Sequence, residues 1–211
     1  AAFREELGLN RPAYVRYFEW FSGAIQGDFG VAMTNKREIL PELMRKFKNT
    51  LFLAGVAALI AVPISVGLGI IAAINEGKWQ DRWSNIVSLA TISVPEFFIA
   101  YLLILVFAVK LRWFPSLSTV FDGMGLGEKL YKIALPALTL TMLVAAHMLR
   151  MTRSSVLAIM SQPYIEMAFL KGMPRSRVIL KHALPNAAAP IISVIALNLA
   201  YLIVGVVVIE V

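Results

Sequence analysis

Residues 51–74 read LFLAGVAALIAVPISVGLGIIAAI, 24 residues without a charged side chain. At about 1.5 Å rise per residue, a helix of this length covers the roughly 30 Å hydrocarbon core of a bilayer. Three further runs share the character. Residues 86–109 give 24 residues interrupted only by Glu96, residues 133–149 give 17 before Arg150 and Arg153, and residues 183–209 give 27. Backbone polar groups in lipid are satisfied only within helices or closed barrels, and these runs are too long for barrel strands. The expected fold is an all-α polytopic membrane protein with crossings at about 50–74, 86–109, 133–153 and 186–209.

Composition agrees. The chain has 211 residues, 59% hydrophobic and 16% charged, with a mean hydropathy of +0.74. A soluble domain is about 45–50% apolar and about 25% charged. The sequence holds no cysteine, which excludes disulfide scaffolds, thiolate metal sites and cysteine nucleophiles. The net charge of +7 fits basic loops near lipid, and no nucleic-acid partner is expected. Pro63, Pro95, Pro136 and Pro190 fall in or at the ends of the apolar runs. Membrane helices tolerate proline, so each run is read as one crossing. Ser65 and Gly69 form a small-xxx-small pair, read here as general membrane-helix composition.

Residues 1–49 differ. Arg4, Glu5, Glu6, Arg11 and Arg16 mix with Tyr14, Tyr17, Phe18, Trp20 and Phe21, and positions 14, 17, 18, 21 and 25 recur at helical spacing. The spacing predicts a short amphipathic helix lying on the membrane or on the protein body. Gly27-Asp28-Phe29-Gly30 reads as a turn; its DFG triplet lacks every other kinase element. Gly123, Gly125 and Gly127 with Lys129 do not meet the phosphate-loop pattern and read as a flexible loop. Lys and Arg near the crossings number nine on one side and eight on the other, so the count does not orient the chain.

The most informative connection is SQPYIEMAFLKGMPRSRVILKHALPNAAAP, residues 161–190. Pro163 suits the first position of a helix, Glu166 favours the dipole in its first turn, and Lys171 followed by Gly172 marks its end. A helix over 163–171 is predicted, with a second opened by Pro174 and ending near Leu184-Pro185. Ala168 is expected to leave a small surface against which another protein presses, with Tyr164, Ile165 and Phe169 as apolar contacts. A short capped helix held between two crossings is suited to passing a push from a partner to the membrane helices.

Glu166-Met167-Ala168, three residues, Gly172, eleven residues and Leu184-Pro185 resemble the EAA loop of ABC-importer permeases. The family pattern is Glu-Ala-Ala, three residues, Gly, nine residues, Ile, any residue, Leu-Pro. This chain departs at Met167 and at His182. The resemblance is closest to the dipeptide/oligopeptide/nickel branch and covers nearly the whole chain. LGLNRPAYVRYFEWFSGAIQGDFG, ISVPEFFIAYLLILVFAVKLRWFP, LPALTLTMLVAAHMLRMTRSSVL, YIEMAFLKG, KHALPNAAAP and GVVVIEV follow in the family's order.

The resemblance implies a type I ABC-importer permease helix bundle, here a fragment lacking the family's first and last helices. Residues 1–49 would be an extracytoplasmic segment that helps seat a binding protein or shapes the outer gate. Residues 50–211 would be the transmembrane domain, its coupling loop (about 160–185) in the cytoplasm. The subunit would sit as a multi-pass protein in a bacterial or archaeal cytoplasmic membrane. Tyr164, Glu166, Ala168, Gly172, Leu184 and Pro185 would couple to an ATPase. Implied partners are a homologous permease subunit in a heterodimer, two cytoplasmic ATPases binding ATP and magnesium, and an extracytoplasmic solute-binding protein. The implied cargo is a peptide or similar small solute, and the chain itself would be non-catalytic and without a cofactor.

Other polar residues are read more plainly. Arg150 and Arg153 sit at the expected cytoplasmic end of their crossing, as interfacial snorkelling side chains. Glu96 reads as a helix-end residue with access to water. His147 and His182 lie far apart in sequence and are read as satisfied polar side chains. The alternative is a self-sufficient secondary carrier or channel using paired intramembrane charges or inverted repeats. A membrane enzyme would need a nucleophile–base or metal constellation, and the sequence presents none.

Overall fold

A computed structural model describes residues 11–32, 36–121 and 123–209, with side chains placed through 203. Arg4, Glu5, Glu6 and the final Glu210 and Val211 of GVVVIEV lie outside the described residues. The chain forms two compact units, residues 1–49 and residues 50–211.

In the first unit, helix α1 (Ala13–Ile25) begins after Pro12 and ends at Gln26. Its aromatic residues are clustered: Tyr17 stacks on Phe21 at 5.9 Å between ring centroids and meets Phe18 edge-on at 5.7 Å. Arg11 pairs with Glu19 at 3.1 Å. The turn at residues 27–30 is closed by the Asp28 carboxylate, which accepts the Gly30 N–H at 2.9 Å. An isolated antiparallel bridge, Val31 to Glu38, follows.

Helix α2 (Ile39–Ile74) carries the first apolar run and Pro63 in its interior. After the turn at Gly77 come α3 (Trp79–Ile92) and α4 (Glu96–Leu103), the latter continuing as π-helical turns through Lys110. Helix α5 (Leu126–Lys132) leads into α6 (Ala134–Met160). Short helices α7 (Pro163–Leu170) and α8 (Arg175–Val178) precede α9 (Leu184–Ile209).

Leu53, Ala54, Ala57 and Ala61 of α2 pack with Leu140, Val144 and Met148 of α6 and with Val194 and Leu202 of α9. Farther along the same helices, Ala73, Val156, Ala187 and Ile191 form a second cluster. Ser65 and Gly69 have a specific role. Ser65 is fully buried, its hydroxyl donating to the Ala61 carbonyl at 2.6 Å. A Cβ at Gly69 would come within 2.8 Å of both the Leu149 carbonyl oxygen and Thr152 Cβ. Only glycine lets α2 and α6 approach this closely.

Four differences from the sequence reading have physical causes. Residues 86–109 are not one straight helix: the α3 and α4 axes meet at 99° across Ser93–Pro95. Pro95 has no N–H to donate and steers Val94 away from helical geometry, so α3 ends and a new helix starts. Among the described residues three helical stretches are long and apolar enough to cross a bilayer, Ile39–Ile74, Ala134–Met160 and Arg175–Ile203; the α3–α4 pair is a fourth only if both arms count as one span.

The second difference is at Leu184-Pro185, where no stop occurs. Residues Ile179–Ala183 form a π turn and the helix runs on into α9. The widened turn sits directly ahead of Pro185, whose nitrogen has no hydrogen to give. Third, α6 continues past Arg150 and Arg153 to Met160. Fourth, the glycine-rich stretch is helical from Leu126. Lys132 reaches Glu128 at 3.8 Å, and the Tyr131 hydroxyl donates to the Trp113 carbonyl at 3.1 Å.

Candidate functional site

Helix α7 is defined at both ends by the residues that predict it. Pro163 occupies its first turn and Glu166 adds a negative charge there, both favourable at a helix start. At the other end Gly172 takes a left-handed conformation with φ of 74°. Its N–H donates to the Phe169 carbonyl at 2.9 Å, and the Met173 N–H donates to the Ala168 carbonyl at 3.3 Å. This pair of bonds is a Schellman stop, which satisfies two otherwise orphaned carbonyls. The accompanying apolar contact is also present, because Met173 packs on the cluster that contains Ala168.

The inner face of α7 is part of a core. Ile165 and Ala168 are buried with Val178 and Ala183, and Ile159, Met160 and Met173 pack around them. This corrects the expectation for Ala168 and Ile165. They lie three residues apart on the face turned toward α8 and the π turn, and offer no surface to another protein. The outward surface is Pro163, Tyr164, Glu166, Met167, Phe169 and Leu170. Gly172 and Pro185 are exposed and Leu184 is half-buried. Tyr164, Glu166 and Gly172 thus share one exposed module; Leu184 and Pro185 stand at the start of α9, and Ala168 braces the module from within.

Two long-range polar contacts hold this end of the bundle. The Arg175 guanidinium donates to the Ile74 carbonyl at 2.6 Å, placing a cation at the C-terminus of α2 where the helix dipole favours it. The Arg153 guanidinium grips both Asp81 oxygens, Nε at 2.5 Å and Nη2 at 2.9 Å. Asp81 is buried and also accepts from the Gly77 N–H at 3.0 Å and from Asn85 Nδ2 at 2.9 Å. Arg153 therefore does not snorkel to an interface. It clamps the first turn of α3 to α6 in a bidentate pair.

Asp81 is the residue the sequence reading missed. It stands among Lys78, Arg82 and polar neighbours, and its partner lies 72 positions away. The local signal that could have found it is Asn85 four residues on, which shares its carboxylate.

Arg150 behaves differently from Arg153. It is exposed, and its guanidinium makes no ion pair with another described residue. With His147 and Ser154 it borders a cleft of about 310 Å³ between α6, Ile92 of α3 and Val194 of α9. Glu96 is exposed at the first position of α4, beside the break. His147 is on α6 and His182 in the π turn, on separate elements.

Residues 65–211 match the family described as binding-protein-dependent transport system inner membrane component. The chain is also similar to glutathione transport system permease protein GsiC of Escherichia coli strain K12. The two are 36% identical over 207 residues, covering 98% of this chain and 65% of that protein. The same identity and coverage hold for the GsiC proteins of Shigella dysenteriae serotype 1 strain Sd197 and Shigella flexneri serotype 5b strain 8401. The chain spans 65% of the length of these curated relatives.

Proposed function

The chain belongs to the family of binding-protein-dependent transport system inner membrane components, multi-pass helical membrane proteins with the type I permease fold, and on that premise we propose that it is a permease subunit of an ATP-driven importer. It contributes helices to the pathway and no hydrolytic chemistry. Its partners in this reading are a homologous permease subunit, two cytoplasmic ATPases carrying ATP and magnesium, and an extracytoplasmic solute-binding protein.

The observation that carries the reading is the construction of residues 163–185. α7 is stopped sharply at Gly172 and braced from inside by Ile165 and Ala168, which pack on Val178 and Ala183, and α8 runs on through the π turn into α9. A push on Tyr164, Glu166 and Met167 cannot be absorbed within the loop. It passes to α9 directly and to α2 through the Arg175–Ile74 bond. Closing of the ATPases around this module would shift helices as rigid bodies and alternate access to the pathway. The loop faces the cytoplasm in this reading, and residues 1–49 face the opposite side, where α1 would meet the binding protein or the bilayer surface.

The cargo we propose is a short peptide or peptide-like solute. The name of the relatives, glutathione transport system permease, supports that class. The test is reconstitution of the full assembly in proteoliposomes. ATP-driven uptake that needs the ATPases and the binding protein is expected. Uptake by this polypeptide alone, without ATP, would instead identify a self-sufficient carrier.

A further inference from the structure

One face of α6 is unlike the rest of the bundle. Met148, Thr152 and Val156 are fully buried against neighbouring helices. His147, Arg150 and Ser154 lie on another face, at i, i+3 and i+7 spacing, and all three are exposed. Arg150 lies about 4.5 Å and His147 about 9 Å along the helix axis from Arg153, on the side away from α7. The Arg153–Asp81 clamp marks the end of the bundle that carries the coupling loop. Arg150 and His147 therefore lie inward of that end, on the helix that is long and apolar enough to cross a bilayer.

A bare guanidinium facing lipid at that depth is costly, and such residues almost always face a bundle interior or a water-filled cavity. Arg150 borders a cavity with apolar walls at Ile92 and Val194 and no acidic residue in its lining. A cleft of one charge sign between low-dielectric walls concentrates its field on whatever enters. Arg153 has its carboxylate within the chain; Arg150, three residues earlier, has none among the described residues.

Resting on the permease reading above, we propose that the Arg150–His147–Ser154 cleft is a stretch of the solute pathway and that Arg150 takes a carboxylate of the passing solute. The planar guanidinium fork matches a carboxylate bidentately. His147 stands one turn away as a second polar contact. The cleft volume of about 310 Å³ is that of a small-solute site, at the low end of the usual range of roughly 300–1,000 Å³. An open, single-sided site of this kind would hold an anionic group only weakly, which suits transit.

The sequence has no cysteine, so an introduced thiol is unique within this chain, and labelling of the unaltered assembly gives the background from the other subunits. Ser154→Cys is made in the complete assembly in proteoliposomes. It is reacted with a sulfonate-bearing and with a trimethylammonium-bearing methanethiosulfonate. We expect water-accessible labelling. With each rate taken relative to that for a free thiol in solution, the anionic reagent should be favoured over the cationic one by about thirtyfold, because attraction of one and repulsion of the other each contribute about fivefold at close range in water. The preference should vanish with Arg150→Gln and persist with Arg150→Lys. If Ser154→Cys fails to assemble, Met151→Cys, on the same cleft, is read the same way. No labelling would place this face against lipid or the partner permease and overturn the proposal. Labelling without anion preference would show a carboxylate of the partner already paired with Arg150, and would overturn it as well. ATP-driven uptake by the unaltered assembly is measured in parallel, so failure of the permease reading is seen separately.

Discussion

Helices α1 and α7 are both short, both rich in aromatic and aliphatic side chains, and both outside the long crossings, yet they are built on opposite plans. α1 has 13 residues and buries none of them. α7 has eight, buries Ile165 and Ala168, and ends in a Schellman stop. An isolated helix shorter than about 12–15 residues is marginal in water. α7 escapes that limit through its own core and end bonds. α1 presents Tyr14, Phe18 and Ile25 outward, with Ile25 72% exposed, and has no such core within its own unit. A helix that passes on force must be joined to what it moves; a helix that rests on a surface need not be.

The largest effect should come from Gly172→Asp. A non-glycine residue in the left-handed region costs roughly 1–2 kcal/mol, and the substitution adds a charge to the exposed module. ATP-driven uptake should fall at least about tenfold, which needs only 1.4 kcal/mol in coupling. Uptake at the normal rate would break the contrast between the helices. Glu166→Lys should act in the same direction by reversing the charge at the helix start.

Next is the clamp that supports the same end of the bundle. Asp81→Ala leaves the Arg153 guanidinium unpaired and should cost about 3 kcal/mol, as for a buried pair that loses one partner. Asp81→Ala with Arg153→Ala should be less damaging than Asp81→Ala alone. The thermal midpoint of the detergent-solubilised assembly reads both, and strict additivity of the two substitutions would show that the pair is not coupled.

The sharpest form of the comparison uses one kind of truncation in each helix. Ile165→Ala empties part of the α7 core and should destabilise the assembly by about 2 kcal/mol or more. Phe18→Ala, on the exposed face of α1, should change stability by less than about 0.5 kcal/mol. Equal losses at the two positions would mean that α1 is anchored as firmly as α7.

Much of this architecture is legible in the residues. The runs at 51–74 and 183–209 are too long and too free of charge to be anything but buried or membrane helices, and Pro163 and Gly172 bound α7 to within one residue. Rotation is harder. The apolar spacing of Ile165 and Ala168 does point to an inner face, but in an eight-residue helix it competes with Tyr164, Met167 and Phe169. Pro95 shows the limit of a composition rule: Pro63 sits within a continuous helix, while Pro95 follows Val94 at a 99° break. The two prolines differ in what surrounds them, which a linear pattern does not carry. The Asp81–Arg153 clamp depends on a pairing across 72 positions, so only the fold brings it together. Gly69 is similar, because its need for glycine comes from the Leu149 carbonyl of another helix.

The central claim is that α7 faces the cytoplasm and takes its motion from nucleotide-driven partners. Leu170, 73% exposed on α7, is the position to probe. Leu170→Cys in intact bacterial cells should resist a membrane-impermeant thiol reagent, react once the membrane is permeabilised, and crosslink to the ATPase subunit. Rapid modification from outside intact cells would contradict the account.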